Sequence, residues 1–355
     1  MEKLLFMINC MNIGGVEKSL LSLLSAIPKD KYKITVLMLQ KNGGFLEYIP
    51  DGIEVKEVNW FKDIKPIIIQ SPQATIKKYL KERKYIEIIT FVLSYFISKK
   101  LDDRSIYYKN LLRYIPKCEE EYDVAVSFEG PMELIDSYIA YKVKAKKKIA
   151  WVHFDISKYK VNNKLYRHLY KRFNKIFIVS NEAKIKLEET IPIAKEKSEV
   201  FLNIISKDLI LDMANEEVKF DNKFIGKKIV TVGRLSKEKG QDLAINVLLK
   251  LKNDGYKVRW YCVGEGTERE RYEKLILENN LQNDFILLGQ TANPYPYIKE
   301  ADIYVQPSRH EAYCLTLTEA KCLQKPIVTT NFTGAYEQIK DHSTGIIVEC
   351  DTDSL

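Results

Sequence analysis

At 355 residues the chain is too long for one ordinary hydrophobic core and suits two domains of typical size. Hydrophobic residues make up 46% and charged residues 29%, which excludes a disordered chain. The formal charge of +8, carried far more by lysine than by arginine, favours anionic partners such as phosphates, nucleic acid or a negatively charged membrane surface, without choosing among them.

The opening, MEKLLFMINCMNIGG, has no basic segment ahead of a long apolar stretch and no cleavage signal, so no signal peptide is expected. Lys3–Asn9 reads as a first strand, followed by Met11-Asn12-Ile13-Gly14-Gly15 and a helical pattern through Leu20, Leu21, Leu23 and Leu24. Lys33–Leu39, Asp123–Phe128, Lys148–Val152 and Ile176–Ser180 continue as strands, their continuous β-branched character being that of a parallel sheet buried on both faces. Residues 62–118, rich in Lys, Tyr and Ile, read as helices inserted in this half. Two accounts of them stay open: solvated helices of ordinary amphipathicity, or a basic and aromatic surface resting on anionic lipid. The most apolar run, Ile86 to Ile97, contains Glu87, Thr90 and Ser94 and falls short of the roughly 20 residues of a membrane span, so no crossing is expected.

The second half restarts the plan. Lys228–Val232, Val258–Val263, Phe285–Leu288, Ile303–Gln306 and Pro326–Thr330 read as strands, with helices at Gln241–Asn253 and Glu268–Asn279. Such alternation implies two doubly wound α/β domains, 1–205 and 206–355, with the polar stretch 206–228 as the boundary. Six cysteines are scattered without a CxxC pair, as expected of reduced thiols in a cytoplasmic protein.

Three groups in the second half carry chemistry. Gly233-Arg234-Leu235-Ser236-Lys237-Glu238-Lys239-Gly240 lies between a strand and a helix, where open α/β sheets bind ligands. Arg234 can fork onto phosphate oxygens, Lys239 can supply a point charge, and the following helix adds its positive end. A solvated basic turn explains the same residues taken alone. Gly264-Glu265-Gly266 closes another strand, where glycines permit close backbone approach or merely a tight turn. In Ser308-Arg309-His310-Glu311-Ala312-Tyr313-Cys314-Leu315-Thr316-Leu317-Thr318-Glu319-Ala320, Glu311 falls at a loop exit and Glu319, eight residues on, in the helix expected to follow; eight residues are a little over two helical turns, so both carboxylates can point toward one side.

The stretches GRLSKEKGQ, VGEGTER, LGQTANPYPYIKEADIYVQPSRHEAYCLTLTEA, KPIVTT and TGIIV, from about residue 228 to 349, resemble the donor domain of family 4 glycosyltransferases of the group 1 type, including bacterial capsule and exopolysaccharide enzymes. Gly14-Gly15-Val16-Glu17, Trp151-Val152-His153, Ser180-Asn181 and Asn203 resemble the N-terminal half of that family. The resemblance implies a GT-B fold, two Rossmann-like domains facing a central cleft, and a retaining, nucleotide-sugar-dependent (hexosyl) transferase. It implies that Arg234 and Lys239 hold the donor diphosphate, Glu319 binds the ribose, and Glu311 contacts the transferred sugar with the backbone of Ala312, Tyr313, Cys314 and Leu315. It adds donor contacts at Gly264, Glu265 and Leu288, close approach of Gly15 to the phosphates, and His153 at the reaction centre as a fourth catalytic residue beside Glu311, Arg234 and Lys239. No metal and no cofactor are expected, the sequence having no convincing DxD-like cluster. A glycan or lipid-linked acceptor, cytoplasmic placement with peripheral contact at the inner membrane face, and no nucleic-acid partner complete the expectation. Retention without a second carboxylate favours front-face attack. Two departures stand out: Ala312 and Cys314 replace the glycines usual after the first glutamate, and the C-terminal helices with which similar enzymes continue are expected to be missing after Leu355. A non-catalytic partner subunit of this fold and a nucleotide-sugar epimerase remain as alternatives.

Overall fold

The computed structural model describes residues 1–158, 161–218, 224–311, 313–340 and 343–355. The chain divides between Leu202 and Asn203, just ahead of the expected boundary at 206, into two compact units.

In the first unit a parallel sheet is built from β1 (Glu2–Ile8), β2 (Tyr32–Met38), β3 (Glu54–Glu57), β4 (Glu121–Gly130), β5 (Lys144–Val152), β6 (Lys175–Ile178) and β7 (Ser198–Val200), in the order β3-β2-β1-β4-β5-β6-β7. Helix α1 (Gly15–Ala26) follows β1. Four helices, α2 (Phe61–Ile69), α3 (Pro72–Lys81), α4 (Tyr85–Leu101) and α5 (Arg104–Leu111), fill the expected insertion between β3 and β4. Helices α6 (Glu133–Lys142), α7 (Asn163–Tyr170) and α8 (Asn181–Thr190) cross between the later strands. The register aligns Leu4 to Met7 with Val124 to Ser127. The chain leaves β1 toward β2 on one side and reaches β4 on the other, so the carboxyl ends of β1 and β4 form a topological switch point, where such sheets open a crevice for ligands.

The second unit begins with α9 (Lys207–Met213) and continues β8 (Lys227–Val232), α10 (Gln241–Asn253), β9 (Val258–Val263), α11 (Arg269–Glu278), β10 (Phe285–Gly289), α12 (Tyr295–Glu300), β11 (Ile303–Gln306), α13 (Leu315–Cys322), β12 (Ile327–Thr330), α14 (Ala335–Gln338) and β13 (Ile346–Val348). Its strand order β10-β9-β8-β11-β12-β13 places a second switch point between β8 and β11. Side chains alternate across this sheet. Val230, Tyr261 and Tyr304 pack into one core with Ile298, Leu317 and Ala320, while Ile229, Trp260 and Val305 pack on the opposite face with Ala244, Leu248 and Tyr272. The polar stretch at the expected boundary contributes Ile210 of α9 and Ala214 of its following turn to the first of these cores.

Candidate active site

The loop Gly233–Gly240 leaves β8 at the second switch point and is held from three sides. Leu235 N–H donates to Glu265 O at 3.0 Å and Glu268 N–H to Leu235 O at 3.1 Å, which stitches it to the loop after β9. Gln241 Nε2 donates to Arg234 O at 2.9 Å, and the Tyr272 hydroxyl donates to Ser236 O at 3.0 Å. Helix α10 starts where Gly240 turns into the left-handed region (φ +73), and a Cβ there would meet Pro307 O at 1.9 Å. The positive end of α10 therefore abuts the β11 loop.

From β11 the chain runs through Pro307 to Glu311. Arg309 N–H donates to Glu238 O at 2.7 Å, and its guanidinium forks onto Asp242 in the first turn of α10 at 2.8 and 3.0 Å. The sequence reading missed this clamp, whose signal is an arginine two residues before Glu311. A buried relay then orients Glu311. Tyr304 Oη donates to Gln306 Oε1 at 2.5 Å, Gln306 Nε2 to Ser308 Oγ at 2.8 Å, and Ser308 Oγ to Glu311 Oε1 at 3.1 Å.

Lys239 and Glu311 meet in an ion pair in this relay. Burial works against the lysine charge, but the Glu311 carboxylate outweighs it and holds the ammonium above its ordinary range, so Lys239 is a cation at neutral pH. Arg234 is exposed, and among the described residues no carboxylate forms an ion pair with it. Glu265 pairs with Arg269, Leu288 and Tyr313 are half-buried, and Ala312 lies outside the described residues.

Helix α13 begins at Leu315, so Glu311 stands in the loop and Glu319 on the helix, as expected, and the eight-residue step between them is not helical throughout. Glu319 is 2% exposed on α13 and lies beside the Tyr295 phenol, which burial and this carboxylate push well above its ordinary range. Cys314 occupies the left-handed region (φ +59) at the start of α13, the backbone in which glycine, usual at this place in the resembling family, costs nothing.

In the first unit, the loop after β1 leads through Gly14 to Gly15 at the head of α1. Asn9 N–H donates to Glu129 Oε2 at 2.7 Å, tying the β1 and β4 ends together. His153 follows β5, its ring stacked 10° from parallel on Trp151 and with its centroid 4.6 Å from that of Phe128. Burial lowers its pKa to about 3, only partly opposed by the Phe128 carbonyl, so the imidazole is neutral at physiological pH. Its Nε2 is buried without a hydrogen-bond partner among the described residues.

Glu129, near the carboxyl end of β4, is a carboxyl that sequence reasoning missed, since it closes an otherwise ordinary apolar run. Burial raises its pKa from 4.5 to about 7, against the lowering effect of the Asn9 amide. The native state keeps a proton that the unfolded chain releases between those values. The associated stability is present below pH 4.5 and lost as pH climbs to about 7. Glu129→Gln should therefore gain on the wild type across that window, by up to about 3 kcal/mol. Urea unfolding at about pH 5 and about pH 8 reads this out, and an equal difference at both would refute the raised carboxyl.

Among the described residues no group of three His, Cys, Asp or Glu side chains is arranged to hold a metal ion, and no helix is long and apolar enough to cross a membrane.

Two doubly wound parallel sheets in succession, each with its polar cluster at the switch point, define the GT-B class of fold. A glycosyltransferase from Rickettsia africae superposes with a TM-score of 0.68 at 18% identity, covering 99% of this chain and 86% of that one. Anabaena Alr3699/HepE, solved with UDP and glucose, superposes with a TM-score of 0.68 at 17% identity, covering 100% of this chain and 88% of that one. Residues 215–354 match the family described as "Glycosyl transferases group 1". A Campylobacter jejuni N-acetylgalactosamine-N,N'-diacetylbacillosaminyl-diphospho-undecaprenol 4-alpha-N-acetylgalactosaminyltransferase is 30% identical over 195 residues, 55% of this chain and 52% of that enzyme. The chain spans about half the length of the curated relatives it matches.

Proposed function

We propose that the protein is a retaining glycosyltransferase that moves a sugar from a nucleotide-sugar donor to a hydroxyl of a glycan or lipid-linked acceptor during surface-polysaccharide assembly. The observation that carries this reading is the convergence of Arg234, Lys239, Glu311 and the α10 N-terminus at the β8–β11 switch point. Breaking the bond between sugar and diphosphate builds negative charge on the leaving group and oxocarbenium character on the sugar. Arg234 forks onto the diphosphate and Lys239 neutralises it, where a metal ion would otherwise be needed. Glu311 receives the sugar hydroxyls, held in place by Ser308. Glu319 takes the ribose, and the backbone of Gly264 and the 312–315 loop lines the donor.

On the acceptor side the neutral His153 serves as a hydrogen-bonding group rather than a cation, and Gly15 lets the first loop approach the phosphates. In front-face attack the acceptor hydroxyl forms the new glycosidic bond as the bond to phosphate breaks, and its proton passes to the departing phosphate oxygen. The undecaprenol diphosphate in the name of the Campylobacter relative supports a lipid-linked acceptor. The protein then works on the cytoplasmic side, in peripheral contact with an anionic membrane, and without nucleic acid.

Thermal stabilisation across a panel of sugar nucleotides tests the reading. One donor should raise stability by about 2.7 kcal/mol at a hundredfold excess over Kd, and Arg234→Ala and Glu319→Ala should each abolish the shift. A folded wild type that no donor stabilises would favour a non-catalytic partner subunit. Product formed from donor alone, without acceptor, would mark an epimerase.

A further inference from the structure

Helix α4 is built inside out. Its face against the rest of the unit carries Phe91, Ser94 and Ser98, with Ser94 at 7% and Ser98 at 6% exposure. Ser94 Oγ is held there by Asn110 Nδ2 of α5 at 3.2 Å and itself donates to Phe91 O at 2.9 Å. The opposite face carries Ile86, Ile89, Leu93, Phe96 and Ile97 at steps of three, four, three and one, a single stripe at helical periodicity. These side chains are left in solvent, Ile86 at 75%, Phe96 at 61% and Leu93 at 56% exposure. A water-facing helix normally shows the reverse, and a contiguous apolar stripe of this kind marks an interaction surface.

The charges around the stripe say what covers it. Lys77, Lys78, Lys81, Arg83 and Lys84 precede it and Lys99 and Lys100 follow it, against only Glu82 and Glu87 within the same stretch. Apolar side chains bracketed at both ends by lysines and arginines match the acyl–headgroup boundary of an anionic bilayer, into which an amphipathic helix lies flat.

We propose that the outer face of α4, with its flanking basic residues, docks this unit onto an anionic lipid surface. The inference gives the peripheral membrane contact of the functional reading a physical location. It stands on the exposed face itself, and its test uses no donor and no acceptor, so it can fail while the transferase reading holds, or the reverse.

The experiment is flotation of the full chain with phosphatidylcholine vesicles made with and without phosphatidylglycerol. Binding is expected with the anionic lipid and to weaken in high salt. Leu93→Glu should lower partitioning by at least tenfold, because burial of a leucine alone is worth roughly 10- to 100-fold. Lys99→Gln with Lys100→Gln should lower it by roughly 30-fold. Both variants change exposed positions, so an unchanged circular dichroism melt should accompany the loss. Equal binding to neutral vesicles, no binding to either kind, or variants that bind like the wild type would overturn the proposal. So would a lipid-free dimer that Leu93→Glu dissolves, which would assign the stripe to a second copy of this chain.

Discussion

Lys239→Ala is expected to lower sugar transfer by 100-fold or more, the usual cost of removing one preorganised group that stabilises charge in the transition state. Two effects act together. The departing diphosphate loses its point charge, and Glu311 loses its cation while remaining in a loop clamped by Arg309 and oriented by Ser308. An unpaired, largely buried carboxylate also repels the incoming diphosphate, so KM should rise as kcat falls. Pairing Lys239→Met with Glu311→Gln separates these contributions. Removing both partners of an ion pair often restores stability, whereas removing one does not. The double variant should thus recover much of the thermal stability lost in Lys239→Ala, yet remain at least 100-fold slow. If it transferred sugar at near wild-type rates, the pair would be structural only, and the charge for the leaving group would have to come from Arg234 alone.

Much of the second unit was legible because its strands are short, continuous and β-branched and are punctuated by glycine. The helix read at Gln241–Asn253 and the strand read at Val258–Val263 coincide with α10 and β9. Strands β3 and β7 went unread for a physical reason. Three of the four residues of Glu54–Glu57 are charged and Ser198–Val200 is three residues long, as sheet edges tend to be, and neither has the apolar run that marks a central strand. At the site, residue types at strand ends pointed to Arg234, Lys239 and Glu311. The contact between Lys239 and Glu311, 72 positions apart, depends on β8 and β11 being neighbours, and one sequence does not state strand order. Asp242, Gln241 and Tyr272 were invisible as supports because each reads as an ordinary helix residue. They matter only through the loop they hold. The polarity of residues 206–228 marks a domain boundary, yet within them Ile210 and Ala214 are buried in the core that also holds Tyr261 and Tyr304.

The largest loss of stability is expected from a single methyl group at Gly264. Its backbone sits at φ +150, where side chains are strained, and a Cβ there would lie 2.0 Å from Gly233 O and 2.8 Å from Gly233 C. The obstacle is main chain on both counts, so it has no rotamer by which to yield. Gly264 N–H donates to Gly289 O at 2.8 Å and Gly233 N–H to Val263 O at 3.0 Å, so neither loop can retreat without breaking a hydrogen bond. Strain and overpacking together should cost at least about 3 kcal/mol in Gly264→Ala. Gly255→Ala is the matched control. It has φ +85 in the turn after α10 and nothing within 4 Å of the added Cβ, so it should cost only about 1 kcal/mol. The loop pushed aside in Gly264→Ala is the one that carries Arg234, so protein that still folds should also lose donor-induced stabilisation, whereas Gly255→Ala should keep it. Urea unfolding of the two variants side by side provides the measurement. Equal costs would mean that the β8 and β9 loops do not approach as closely as 2.0 Å implies, and Arg234 would then lack the fixed backbone from which a guanidinium can grip a phosphate.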